Sequence, residues 1–93
     1  MTSPAFLAMR EKVLAAIEAN PAVGPGSPAM LERMNDPARD CGFEELGFDS
    51  LARMEFCIFL ETEFGITLTS GEVETRPSIN AMAAYLAEAS AAG

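Results

Sequence analysis

The sequence predicts an all-α fold, a small three-to-four-helix bundle with a long first loop, in which three main helices are joined by one or two short ones. Two observations predict it. Apolar residues recur at helical spacing in three segments, and each segment is preceded by a residue that can cap a helix: Ser3, Asp49 and Ser78. The one alternating stretch, Ile66-Thr67-Leu68, is too short to build a sheet. At 93 residues the chain suffices for a single domain, 1–93, with its core expected over 4–88 and a frayed tail at 89–93.

The first helix starts at Ser3, with Pro4 suited to its first position. Phe6, Val13, Leu14 and Ile17 then recur at helical spacing, and Arg10, Glu11 and Lys12 are expected to face solvent. Asn20-Pro21 ends it. Pro21, Gly24, Pro25 and Gly26 follow as breakers. Ser27-Pro28 can restart a short helix through Met30, Leu31 and Met34, until Asn35-Asp36-Pro37 stops it. The region 20–48 is long for a domain of this size, and such loops are functional or mobile.

Leu51 to Phe64 is the strongest helical segment. Strong helix formers dominate it, Asp49 precedes it as an N-cap, and Gly65 follows as a stop. Phe56, Leu60 and Phe64 form one apolar stripe. Leu51, Met54 and Ile58 form another on a different face. Two stripes mean either burial on two sides or one face offered to a partner. Thr69 with Glu72 is a capping-box pattern, so a short helix is expected near 70–75. Arg76-Pro77 breaks it, and Ser78 opens a last helix with Ile79, Met82, Ala83 and Leu86 on one face.

Composition narrows the function. The net charge is −8, from 14 acids and 6 bases. Such a surface repels nucleic-acid phosphates and anionic lipid, and it favours basic protein surfaces, although acidity can also serve solubility alone. No window approaches the length of a membrane span, and Met1 to Lys12 has neither an apolar run nor a basic leader, so a cytoplasmic location with no membrane insertion is expected. Cys41 and Cys57 have no metal-type spacing. Histidine is absent, which removes the usual general base for a serine nucleophile and the commonest metal ligand. A serine with a chemical role here is therefore expected to be acted upon.

The informative stretch is Glu45-Leu46-Gly47-Phe48-Asp49-Ser50-Leu51. Asp49 caps the second main helix and Ser50 stands in its first turn, where free N–H groups favour an anion. Glu44, Glu45 and Asp49 oppose one there. Three readings follow: a plain helix start, a nucleophilic serine of the Gly-Phe-Asp-Ser-Leu type, or a modification site. The second lacks a base.

The chain resembles the acyl carrier protein family, including the peptidyl carrier domains of nonribosomal synthetases. The resemblance lies in Leu46-Gly47-x-Asp49-Ser50-Leu51, in Leu60-Glu61-x-Glu63-Phe64-Gly65-Ile66-x-Leu68, and in Ser78-Ile79, Tyr85 and Leu86. It covers residues 43–88 well and 4–19 by pattern. It implies an acyl-carrier-type bundle whose Ser50 carries 4'-phosphopantetheine, derived from coenzyme A, with an acyl or aminoacyl group held as a thioester. It implies no catalysis by the chain itself. Asp49 would serve recognition by the phosphopantetheinyl transferase. Phe56, Leu60 and Phe64 would pack in the core. Leu51, Met54 and Ile58 would face partners, flanked by Glu55 and Glu61. The partners implied are that transferase, an acyl- or aminoacyl-loading enzyme, and a synthase or transferase with a basic docking surface, each met by a monomer. Rim pairs of about 0.2–1 kcal/mol would steer rather than hold. Ala52, Arg53, the long loop and Phe48 depart from fatty-acid carriers, which favours a dedicated polyketide, nonribosomal peptide or modified-lipid pathway. The alternative is an unmodified helical interaction module of the same fold.

Overall fold

The computed structural model describes residues 3–24 and 26–92. Five α-helices are present among them: α1 (Pro4–Glu18), α2 (Pro28–Met34), α3 (Ser50–Phe64), α4 (Ser70–Thr75) and α5 (Ile79–Ala92). The ends follow local chemistry. Ser3, Ser27, Asp49 and Thr69 each accept a backbone N–H of the helix that follows. Thr69 and Glu72 form the reciprocal capping box. Gly65 stops α3 at φ 67°, a conformation that costs glycine little. The tail expected to fray from Ala89 is helical as far as Ala92, in keeping with its alanine content. Pro25 and Gly93 lie outside the described residues.

α1 packs along α5 and crosses α3, and α4 packs on α3. The core takes Val13, Ala16 and Ile17 from α1, Ala52, Phe56 and Leu60 from α3, Val73 from α4, and Ile79, Met82, Ala83 and Leu86 from α5. Ile66-Thr67-Leu68 forms no strand and lays Leu68 on the core. None of the described helices is long and apolar enough to cross a membrane.

Two residues depart from the sequence reading. Phe64 is 38% exposed rather than part of the core stripe. At 3.6 residues per turn each four-residue step drifts by about 40°. The buried stripe is centred on Phe56, so Ala52 and Leu60 stay within it and Phe64 has turned out of it. There its ring meets Phe59 edge-on and lies beneath Lys12 Nζ, 5.3 Å from the centroid.

Arg10 was expected to face solvent, yet it is 3% exposed. It shares the inner face of α1 with Val13 and Ile17, and its guanidinium finds acceptors in the long loop. It donates to the carbonyls of Met34, Asp36 (3.1 Å) and Arg39 (3.4 Å), and to Asn80 Oδ1 at 2.8 Å. Burial lowers its pKa, and Asp40 and Asp36 oppose that shift.

The loop over 20–48 is thus tied down. It contains α2 and a 3₁₀ turn (Glu44–Leu46), and it buries Met34, Cys41 and Phe43. An antiparallel bridge joins Gly42 to Ser78, with Phe43 N–H on the Pro77 carbonyl (2.9 Å) and Ile79 N–H on that of Cys41 (3.0 Å).

Candidate functional site

The segment before α3 is built on three aromatic rings. Phe43 stacks on Phe48 with centroids 4.7 Å apart, and both contact Phe56 of α3, at 5.4 and 5.7 Å. Gly47 makes this possible: at φ 80° it reverses the chain after the 3₁₀ turn and brings Phe48 back onto the core. Asp49 then leaves in extended conformation, and its Oδ1 accepts the Ala52 N–H at 2.8 Å. Asn20, only 5% exposed, donates its amide to the Ala52 carbonyl at 2.8 Å and so holds the same turn from the other side. Ser50 is the first helical residue, and both it and Asp49 are exposed.

Arg53 stands one turn further along. Its Nη2 donates to Ser50 Oγ at 3.4 Å and lies 3.3 Å from Glu74 Oε1 on α4. Its Nε is buried with no acceptor among the described residues. In the sequence Arg53 stood out only as a departure from the pattern of fatty-acid carriers. The usable signal is its i+3 spacing from Ser50, which puts both on one helix face.

The acids around Ser50 are less opposed to an anion than their number suggests. Glu45 pairs with Arg33 at 2.9 Å and accepts the Gly42 N–H at 2.7 Å. The Arg33 hydrogen bond, and then the Gly42 N–H, hold its carboxyl below the ordinary carboxylate range. Asp49 spends its carboxylate on the helix start.

The second stripe of α3 is outward-facing. Leu51, Met54 and Ile58 are 51%, 51% and 49% exposed, and their spacing from Ser50 sets them along one side of the helix. Glu61 is exposed and Glu55 half-buried. Glu55 and Ile58 line a shallow groove of about 180 Å³ with Asn20 and Pro21. A wider cavity, about 800 Å³, lies between α1, the loop and α2, and neither Ser50 nor Asp49 lines it.

No cluster of metal-binding side chains occurs among the described residues. Burial pushes the thiols of Cys41 and Cys57 above the ordinary value, which makes both poor nucleophiles.

A family model described as a phosphopantetheine attachment site matches residues 31–86, more than half of the chain, including the segment from Phe43 to Glu74 around Ser50. Comparison with curated proteins and with solved structures returns no significant match. The exposed hydroxyl of Ser50, with free helix N–H groups and a guanidinium beside it, fits a phosphodiester. On the extent of the match the chain belongs to the phosphopantetheine-attachment family, whose members are carriers rather than catalysts and hold 4'-phosphopantetheine covalently.

Proposed function

We propose that Ser50 is the attachment residue, and that the protein carries an acyl or aminoacyl thioester on a 4'-phosphopantetheine arm for a dedicated polyketide, nonribosomal peptide or modified-lipid pathway in the cytoplasm. The observation that carries the assignment is the position of its hydroxyl. Three serines lie within residues 31–86: Ser50, Ser70 and Ser78. Ser78 is half-buried, its backbone is held in the bridge to Gly42, and no matching motif precedes it. Ser70 opens a helix of six residues with no matching motif before it. Ser50 opens a helix of fifteen residues, is exposed, and follows Leu46-Gly47-x-Asp49.

In this reading a transferase exchanges the Ser50 O–H for an O–P bond. The pyrophosphate bond of coenzyme A breaks, and adenosine 3',5'-bisphosphate leaves. Asp49 serves recognition by that transferase. Leu51, Met54 and Ile58 dock against partners, and Glu55 and Glu61 attract their basic residues. Such a patch beside the arm suits a monomer that visits a loading enzyme and then a synthase in turn. Contacts of this kind speed encounter without slowing release, which a carrier needs.

The test is intact-protein mass after incubation with coenzyme A, magnesium and a promiscuous phosphopantetheinyl transferase. Wild type and Ser70→Ala should each gain one arm, and Ser50→Ala should gain none while keeping its far-UV helicity. A chain that stays unmodified while a control carrier loads would instead be a helical interaction module.

A further inference from the structure

We infer that Arg53 is this chain's own ligand for the phosphodiester of the arm, and that it holds the attached group against the first turn of α3. The inference rests on the assignment of Ser50 above.

The first support is position. Nη2 of Arg53 lies 3.4 Å from Ser50 Oγ. Phosphorus would bond to that same oxygen, and its two non-bridging oxygens stand only two bonds away. The guanidinium can meet them without any change in α3.

The second support is that the guanidinium is under-occupied. Its contacts to Ser50 Oγ and to Glu74 Oε1, 3.4 and 3.3 Å, are both longer than a good hydrogen bond. Its Nε is buried and has no acceptor among the described residues. A buried N–H without a partner is unfavourable and uncommon. A planar guanidinium offers parallel N–H donors whose spacing matches two oxygens of one phosphate, and Nε–H with Nη2–H is such a pair.

The third support is electrostatic. Of the three acids before Ser50, Glu45 is held by Arg33, Asp49 caps its own helix, and Glu44 is exposed to water, which screens it. Glu74 remains on Arg53, with a side chain 62% exposed, so water can replace or share that contact. A chain of net charge −8 repels a phosphodiester in general, and a fixed cation at the attachment point offsets this where it matters.

The test compares the thermal midpoints of unloaded and loaded protein, with loading verified by mass, for wild type, Arg53→Gln and Arg53→Lys. The arm should raise the wild-type midpoint by about 4 °C at low salt, the scale of one modest contact in a domain of this size. In Arg53→Gln the rise should fall by roughly half or more, and Arg53→Lys should recover part of it. In nitrogen-15 spectra of the wild type, the Arg53 Nε–H resonance should shift on loading. Equal rises in wild type and Arg53→Gln, with that resonance unmoved, would overturn the role of Arg53 and leave the attachment site standing. A wild type that takes no arm on Ser50 would overturn both. Should Arg53→Gln not fold, the wild-type resonance decides alone.

Discussion

The side-chain amide of Asn20 donates to the carbonyl of Ala52 across 32 residues of sequence, at 2.8 Å, and its Oδ1 accepts the Ala22 N–H at 3.0 Å. One buried amide thus closes the turn after α1 and fixes the first turn of α3. Asn20→Ala removes both bonds and should destabilise the protein by about 1–3 kcal/mol. Urea unfolding measures this as a lower midpoint at unchanged slope. Loss of the clamp should also speed amide exchange at the start of α3.

Arg10 gives the larger effect. Its guanidinium serves three loop carbonyls and Asn80, and hydrogen bonds to a charged group contribute about 1.5–3 kcal/mol each. Arg10→Ala should destabilise by about 3 kcal/mol or more and loosen residues 34–40. Arg10→Lys should recover little, because an ammonium cannot reach acceptors spread across a planar fork. Hydrogen exchange of the loop amides distinguishes this from a uniform loss.

Phe56 and Phe64 should behave differently although both lie on α3. Phe56 is fully buried against Phe43 and Phe48, so Phe56→Ala should cost about 3–5 kcal/mol. Phe64→Ala, at a partly exposed ring, should cost about 1 kcal/mol or less. Chemical denaturation of the two variants in parallel checks the contrast.

Glu72 should shape the acid limb of stability. Its carboxylate accepts the hydroxyl of Tyr85 and the N–H and hydroxyl of Thr69, which hold its pKa below the ordinary 4.5. A depressed carboxylate stabilises the fold above its unfolded value, and the contribution is lost as pH falls from about 4.5 through the folded value. Glu72→Gln should therefore flatten the decline in urea midpoint between about pH 5 and pH 3. Tyr85, pushed up by the same bond, adds stability that disappears as pH rises past its ordinary value of 10. Tyr85→Phe should remove that alkaline loss and soften the acid one.

Much of the fold was legible because it is written locally. Ser3, Ser27, Asp49, Thr69 and Gly65 bound their helices through contacts within a few residues. The buried face of α5 followed from periodicity alone. What escaped was long-range. Nothing near Arg10 in sequence reveals that loop carbonyls some 24 residues away will accept its N–H groups. Asn20 reads as a helix stop and is also a clamp. Phe64 fits the pattern of a stripe and fails it by angular drift. At the site, Ser50, Leu51, Met54 and Ile58 are all exposed, and the second apolar stripe of α3 is thus the outward one, whereas the guanidinium beside Ser50 needed the third dimension.

The packed rings of Phe43, Phe48 and Phe56 have a consequence for anything tethered at Ser50. A tether rooted in a floppy segment spreads its end over a wide volume, and the local concentration at any one target falls as that volume grows. Here the root is a two-residue step from a stacked ring to a capped helix. In the reading proposed for Ser50, a pivot held by this packing would leave the swing of the load to the arm's own bonds and to the angle at which α3 meets its host. Replacing Phe48 with a small residue would then change delivery without touching either the load or the docking face.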